Sequence, residues 1–257
     1  MTEIHPSAIV SEGAELGVDV QVGPYCVLGP HVRVGDRTRL RAHVVLDGRA
    51  SIGADCAIFP FACIGTQTQD LKYRGATTFV EIGERTTLRE YVTVNAGTVE
   101  GEVTRVGSDC LIMAYSHVAH ACAVGNHVII ANASQLAGEV VVEDQAILGG
   151  LVGVHQFCRI GRLCMVGHNA KVSQDVPPFM LADGNPVRVR GVNSVGLDRK
   201  NIEQAARSEL KRAYRLLYRS RLSTTQATRR IRDELEQVPE IEHLLSFIAA
   251  SERGIVK

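Results

Sequence analysis

Residues 106–160 read VGSDCL IMAYSH VAHACA VGNHVI IANASQ LAGEVV VEDQAI LGGLVG VHQFCR I, with an aliphatic residue at every sixth position. The same phase extends from Ile4 to Val172, where 26 of 29 positions are Ile, Leu or Val and only Asp70, Ala76 and Glu100 differ. Aliphatic residues make up roughly a quarter of ordinary sequences, so chance does not produce such a run. This repeat of six residues decides the fold.

A second column of small or β-branched residues lies two positions before each aliphatic, as at Cys26, Ala50 and Ser134. One large and one small inward residue per hexad predict an all-β solenoid, a flat-sided parallel β-helix in which three hexads complete one triangular turn. Stacked aliphatics leave little room for rings, which agrees with a chain that is 5% aromatic and lacks Trp. Glycine often follows the aliphatic, as at Gly23 and Gly35, and we expect it there because Gly tolerates the backbone angles of a corner.

Two polar stretches interrupt the hexads, at about 66–79 and 95–105. They are predicted to be loops that leave the solenoid. Long ordered loops on a rigid scaffold often carry function, so we expect them to contribute to a site.

The C-terminal part of the chain has a different periodicity. The hexads fade at Pro177, and the spacing of apolar residues becomes helical from about Arg199, with further short helices expected on either side of Pro239. The sequence therefore predicts a β-helix domain over residues 1–190 and a C-terminal α-helical domain over residues 191–257.

Charge is balanced over the whole chain but not along it. Lys plus Arg and Asp plus Glu each number 28, which favours neither a nucleic-acid partner nor a membrane surface. Residues 180–232 contain 13 Lys or Arg against 4 Asp or Glu, so we expect a basic surface that attracts an acidic partner. The chain begins without a signal-like segment and contains no apolar run of 18 residues, which predicts a cytoplasmic protein without stable membrane insertion.

The seven cysteines include no C-x-x-C pair, and disulfides are not expected. Six of them fall in the inward column of small residues, with Cys63 as the exception. These positions predict a packing role for them rather than a chemical one.

Stacking converts sequence separation into geometry, because residues 18 apart lie one coil apart, about 4.8 Å along the axis. His120 lies two residues after the inward Val118, so its side chain should face outward, where an imidazole suits general-base chemistry near neutral pH. The polar residues expected to converge with it around the gap left by Gly138 are His117, His155 and Gln156. An exposed corner histidine without a catalytic role is the alternative.

Zinc binding is a second alternative for these histidines. β-Helix proteins that resemble carbonic anhydrases use an H-x4-H pair with a third His, whereas His117 and His120 form an H-x2-H pair. The sequence therefore predicts no metal site.

Several segments are more specific than the hexads: QDLKYRG (69–75), SHVAHAC (116–122), GGLVGVHQF (149–157), QDVPPF (174–179), GNP (184–186), GVN (191–193) and AYRLLYRS (213–220). Together they resemble the UDP-N-acetylglucosamine 3-O-acyltransferases, hexapeptide-repeat enzymes that open lipid A biosynthesis, over nearly the whole chain. The resemblance implies left-handed coiling and a homotrimer with active sites in clefts between neighbouring prisms.

The same resemblance implies two substrates and no cofactor. The donor would be a 3-hydroxyacyl thioester on acyl carrier protein, and the acceptor the sugar 3-hydroxyl of UDP-N-acetylglucosamine. By motif position His120 matches the general base, and Gly138 matches the residue whose backbone N–H faces the developing oxyanion. The positions that match substrate contacts are Asp70, Lys72, His117, His155, Gln156, Asn193 and Arg199.

His168 occupies the position that, by the resemblance, limits the length of the acyl chain. Because Val166 is an inward aliphatic, we expect His168 to point outward into the groove that holds the acyl tail. It lies almost three coils, about 13 Å, beyond His120. An imidazole there would close the groove and resist burial against methylenes, which predicts a shorter chain than in relatives with Gly.

Three positions depart from the family pattern. The carboxylate that often follows the catalytic His is Ala121, the His of the Leu-Ala-Gly-His run is Glu139, and the Arg of the His/Asn-Arg-Gly-Thr run is Ala96. They leave open what orients His120 and whether the acceptor carries a 3-hydroxyl or a 3-amino group. The alternative functions are N-acylation of a 3-amino UDP-sugar, a metal-dependent β-helix enzyme and a non-catalytic trimeric scaffold.

Binding of acyl carrier protein should weaken as salt rises, because charge pairs between residues 180–232 and an acidic partner are screened within about 10 Å at 0.1 M salt. The measurement is the KM for the acyl carrier protein thioester across a salt series, with an uncharged acyl-pantetheine as control donor. A KM for the protein-bound donor that stays flat while salt increases would refute this prediction.

Overall fold

The computed structural model describes residues 1–257, and its strands form three sheets wound around one interior. Each sheet takes every third strand of the coil, and neighbouring strands in the coil are parallel. Residues 18 apart stack directly where no loop intervenes, as Ile4 does on Val22 and Val118 on Leu136. The coil of hexapeptide repeats predicted from the sequence is confirmed.

The strands are short because each flat side of the coil is only one hexad long. The first sheet contains β1 (Glu3–Ile4), β4 (Gln21–Val22), β7 (Arg39–Leu40), β10 (Ala57–Ile58), β13 (Thr87–Leu88), β16 (Leu111–Ile112), β19 (Ile129–Ile130), β22 (Ile147–Leu148), β25 (Met165–Val166), β27 (Met180–Asp183) and β28 (Arg188–Val192). The second contains β2 (Ile9–Val10), β5 (Val27–Leu28), β8 (Val45–Leu46), β11 (Cys63–Thr66), β14 (Thr93–Asn95), β17 (His117–Val118), β20 (Gln135–Leu136), β23 (Gly153–Val154) and β26 (Lys171–Val172). The third contains β3 (Glu15–Leu16), β6 (Arg33–Val34), β9 (Arg49–Ile52), β12 (Phe79–Ile82), β15 (Val103–Val106), β18 (Ala123–Val124), β21 (Val141–Val142) and β24 (Arg159–Ile160).

The interior is filled by the two inward columns. Aliphatics such as Leu28, Ile64 and Leu136 are fully buried, and each contributes roughly 1.5–3 kcal/mol through burial of its side chain. The six cysteines of the small column are buried and Cys63 is half-buried, which confirms their packing role. Burial raises the pKa of Cys122 to about 12, so this thiol stays protonated and is not a nucleophile near neutral pH.

The reason for glycine after the aliphatic differs from the prediction. Gly23 and Gly35 do not have positive φ; the left-handed backbone falls at corner residues with side chains, such as Tyr25 (φ 58°) and His43 (φ 60°). A Cβ at Gly23 would lie 2.9 Å from the carbonyl carbon of Arg41 in the next coil. The close approach of successive coils therefore requires glycine there, and corner geometry does not.

Two loops leave the coil on the same side. The first runs between the end of β11 at Thr66 and the start of β12 at Phe79, and the second between the end of β14 at Asn95 and the start of β15 at Val103. Both lie where the second sheet passes into the third, which we call the second edge. The first edge joins the first sheet to the second, and the third edge joins the third sheet back to the first.

The solenoid ends in an antiparallel pair, β27 and β28, which is followed by helices. These are α1 (Ser194–Arg199), α2 (Gln204–Tyr214), a π-helical turn (Arg215–Arg219), α3 (Thr224–Glu234) and α4 (Pro239–Ala249). Helix α4 is fastened to the coil, since His243 Nε2 lies 2.8 Å from a Glu143 carboxylate oxygen and the Arg159 guanidinium lies 4.2 Å from the Phe247 ring centroid. None of the helices has the length and apolar character required to cross a bilayer.

The three outer faces differ in chemistry. The third sheet presents charged side chains, including Glu15, Arg33, Glu81 and Arg105. The upper first sheet instead presents a half-buried apolar column of Leu111, Ile129, Ile147 and Met165. Along the first edge, five rings stack at centroid separations of 4.8–5.0 Å, namely Tyr25, His43, Phe61, Tyr91 and Tyr115.

Candidate active site

A cavity of about 970 Å³ lies along the second edge and the adjoining outer face of the second sheet. The turn between β17 and β18 carries His120 into it, and the first loop rises to form its other wall. Seven of the residues predicted for the site line this cavity: Asp70, Lys72, His117, His120, Gly138, His155 and Gln156.

The backbone of the His120 turn is held from the coils on both sides. The Ala121 N–H donates to the hydroxyl of Thr104 at 2.9 Å, and the Glu139 N–H donates to the carbonyl of His120 at 3.0 Å. The imidazole lies over Gly138, where any Cβ would overlap the ring. Glycine at 138 therefore makes the space that the His120 side chain occupies.

Gly138 also presents a backbone amide without a backbone acceptor. Its neighbours are engaged, since the Ala137 N–H donates to Val154 O at 3.1 Å and the Glu139 N–H donates to His120 O. The free amide lies beside the imidazole, in the place where an oxyanion would develop if His120 removed a proton from an attacking hydroxyl.

Asp70 reaches His120 from the first loop. Its carboxylate accepts the Lys72 N–H at 2.9 Å, and its own N–H donates to the Thr68 hydroxyl at 3.1 Å, so a local turn orients the side chain. Asp70 Oδ2 lies 3.7 Å from His120 Nε2, too far for a hydrogen bond but close enough to stabilise an imidazolium. His120 Nδ1 is buried and has no partner within the chain.

His117 stands one coil above Thr93 on the outer face of the second sheet, and its Nδ1 lies 2.7 Å from the Thr93 hydroxyl. Burial lowers the pKa of His117, and the nearby charge of His120 lowers this pKa further. The ring therefore stays neutral in the neutral pH range, where it serves as a hydrogen-bonding group and not as a cation.

His155 and Gln156 form the upper rim of the cavity and are exposed. The Nδ1–H of His155 donates to the carbonyl of Gln156 at 3.2 Å, which leaves Nε2 directed elsewhere. Lys72 is exposed on the opposite wall. The cavity thus combines neutral hydrogen-bonding groups, one lysine on the loop and the carboxylates of Asp70 and Glu139.

Three predicted residues lie outside this cavity. Asn193 caps α1, where its side chain accepts the Gly196 N–H and donates to Leu163 O at 2.9 Å. Arg199 is exposed at the end of the same helix. His168 is exposed on the first edge, between β25 and β26, so no continuous groove within one chain joins it to His120.

Thr93, Asn95, Gln135 and Lys171 belong to the site region but were not predicted as site residues. Asn95 is buried and its amide donates to the Thr66 hydroxyl at 3.0 Å. Thr93 lies under His117 although 24 residues precede it, because the second loop lengthens that coil. A fixed spacing of 18 fails across the loops, whereas Gln135 and Lys171, in loop-free coils above His117, could have been found by that spacing.

No group of three or more His, Cys, Asp or Glu side chains is placed to share a metal ion.

Comparison with known proteins identifies the family. Residues 175–256 match the family model described as UDP N-acetylglucosamine O-acyltransferase, domain 2, and residues 13–48 and 104–138 match the bacterial transferase hexapeptide model. The chain is 48% identical, with full coverage of both chains, to the acyl-[acyl-carrier-protein]–UDP-N-acetylglucosamine O-acyltransferases of Thermodesulfovibrio yellowstonii and Verminephrobacter eiseniae. The chain belongs to this O-acyltransferase family.

Solved structures of the family agree with this assignment. LpxA from Acinetobacter baumannii superposes with a TM-score of 0.96 at 41% identity, covering 99% of each chain. The UDP-N-acetylglucosamine acyltransferase from Bacteroides fragilis superposes with a TM-score of 0.97 at 37% identity, covering 99% of this chain and 100% of the other. The resemblance drawn from the sequence segments is confirmed.

Replacement of Gly138 by Ala should lower turnover by about 100-fold or more, because the new methyl overlaps the His120 ring and displaces it from the amide. Gly191→Ala is the matched control, since a Cβ there meets nothing within 4 Å. Steady-state kinetics and circular dichroism of both variants make the measurement. Wild-type turnover in a folded Gly138→Ala variant would show that the ring does not need this space.

Proposed function

We propose that this chain transfers an acyl group from acyl carrier protein to the 3-hydroxyl of UDP-N-acetylglucosamine, with His120 as general base. The observation that carries the mechanism is the meeting of three groups in one cleft: His120 Nε2, the Asp70 carboxylate 3.7 Å from it and the unengaged amide of Gly138. The curated relatives at 48% identity are O-acyltransferases, which favours a hydroxyl over an amino acceptor.

In the proposed reaction, His120 Nε2 removes the proton of the 3-hydroxyl as its oxygen attacks the thioester carbonyl. The carbonyl oxygen becomes an oxyanion that accepts a hydrogen bond from the Gly138 N–H. The tetrahedral intermediate then expels the thiolate, which takes the proton back from the imidazolium. Asp70 stabilises that imidazolium in both steps, so a loop carboxylate supplies the charge that Ala121 lacks.

The remaining cleft residues suit a polar acceptor. Neutral His117 and the side chains of His155 and Gln156 offer hydrogen bonds to hydroxyl and amide groups of a sugar, and Lys72 offers a cation to its phosphates. No cofactor takes part, because acyl transfer between thioester and hydroxyl needs only proton transfer and oxyanion stabilisation.

We also infer a homotrimer, with the coil left-handed as in the family. The apolar column Leu111, Ile129, Ile147 and Met165 lies in the same coils as the cleft residues of the second sheet, and so at the same heights along the axis. When the first sheet of one chain faces the second sheet of the next, this column covers the cleft. Repetition of one heterologous contact closes into a ring, with the exposed aromatic stack of the first edge near its axis.

Such an arrangement explains the three predicted residues that lie outside the cleft. His168 lies on the first edge at the level of Met165 and Lys171, where it can reach the upper end of a neighbour's cleft. Asn193 and Arg199 lie at α1 and would approach the same cleft from a neighbouring chain. The basic surface of residues 180–232 would receive acyl carrier protein, in a cytoplasmic reaction of lipid A biosynthesis.

Incubation with UDP-N-acetylglucosamine and a panel of 3-hydroxyacyl carrier proteins should give O-acylated product, and His120→Ala should lower the rate by about 10²–10⁴. His127→Ala, an exposed histidine on the third edge, is the control and should keep wild-type activity. If a folded His120→Ala variant retains more than roughly a tenth of the rate, His120 is not the general base.

His168→Gly should shift the preferred acyl chain to a greater length, because removal of the imidazole opens the groove to further methylenes. The measurement is kcat/KM for a chain-length series of 3-hydroxyacyl carrier proteins with both enzymes. His31→Gly, which changes an exposed histidine far from the cleft, is the control. An identical optimum in wild type and His168→Gly means that His168 does not set the length.

A further inference from the structure

Lys171 occupies the top of an outward column that begins in the candidate active site. Strand register places His117, Gln135, Gly153 and Lys171 in successive coils on the outer face of the second sheet. All four line the cleft. Three coil spacings separate His117 from Lys171, which is about 14 Å along the axis.

The residue below Lys171 leaves an open notch in this face. A Cβ at Gly153 would meet no atom within 4 Å, so nothing occupies the space between Gln135 and Lys171. The flexible four-carbon stem of Lys171 can lie over this notch and bring its ammonium group toward the reacting end of the cleft. His155 and Gln156, which follow Gly153 on the second edge, form the side of the notch.

Lys171 also carries an uncompensated charge. Its ammonium makes no ion pair within 4.0 Å and no side-chain hydrogen bond, and the residue is exposed. Strand cations elsewhere are paired, as Arg105 is with Glu81 at 2.7 Å. The cleft carboxylates are taken up near His120, with Asp70 beside the imidazole and Glu139 in the next turn.

We propose that Lys171 binds a phosphate group of a substrate that spans the cleft. This inference rests on the proposed function, since both of its substrates carry phosphate. One source is the diphosphate of the sugar nucleotide, and the other is the phosphodiester of the pantetheine arm on acyl carrier protein. An ammonium that faces an open, polar-rimmed notch is suited to either one.

Two substitutions separate the charge of Lys171 from its bulk. Lys171→Met keeps most of the stem and removes the charge, and it should raise the KM of the phosphate-bearing substrate roughly tenfold with little change in kcat. Lys171→Arg keeps the charge and should restore most of the affinity. Arg49→Met is the matched control, because Arg49 is an exposed strand cation without an ion pair on the third sheet.

The arms of the experiment distinguish the two sources. UDP-N-acetylglucosamine is varied at saturating donor, and the donor is then varied at saturating sugar nucleotide. A raised KM for the sugar nucleotide assigns Lys171 to its diphosphate. A raised KM for acyl carrier protein that disappears with acyl-pantetheine, which lacks the phosphate, assigns Lys171 to the arm of the donor.

If both KM values in a folded, active Lys171→Met enzyme stay within about twofold of wild type, Lys171 binds no phosphate while the proposed function stands. Absence of turnover in the wild type would instead refute the proposed function. Calorimetric titration with UDP and with inorganic pyrophosphate then decides the inference by itself. Equal affinities of wild type and Lys171→Met for both probes overturn it, and a roughly tenfold loss for either supports it.

Discussion

The inward aliphatic side chain of each hexad is the constraint on which the rest of the molecule depends. Leu28, Ile64 and Leu136 are fully buried in one stacked interior, so each coil must lie in register with the next. A slip by one residue would turn this column to solvent. The outer face inherits the same register, and residues far apart in sequence therefore come to lie one above another at a spacing of about 4.8 Å.

The candidate active site follows from this register together with one departure from it. The stack places His120 over Gly138, where the absence of a Cβ gives the ring its space and a backbone amide remains free beside it. The first loop, which breaks the hexads, returns Asp70 to within 3.7 Å of that ring. A rigid stack thus positions the base and the oxyanion donor, and an inserted loop supplies the carboxylate.

The repeat, its core columns and the alignment of His120 with Gly138 could be predicted because a period of six is fixed by stacking alone. The pairing of Thr93 with His117 could not, since the second loop makes that spacing 24 residues. The glycines after the aliphatics were predicted in the right places for the wrong reason, because coil contact requires them at Gly23. The predicted roles of Asn193, Arg199 and His168 depend on a neighbouring chain, and hexad spacing within one chain does not position such residues in the cleft.

The central claim is that His120 faces the hydroxyl that becomes acylated. A crystal structure of the protein with UDP-N-acetylglucosamine bound tests it most directly. The account predicts that the sugar 3-oxygen lies about 2.6–3.2 Å from His120 Nε2, near the Asp70 carboxylate. A sugar bound in the cleft with its 3-oxygen directed away from His120, toward a different titratable group, would contradict the account.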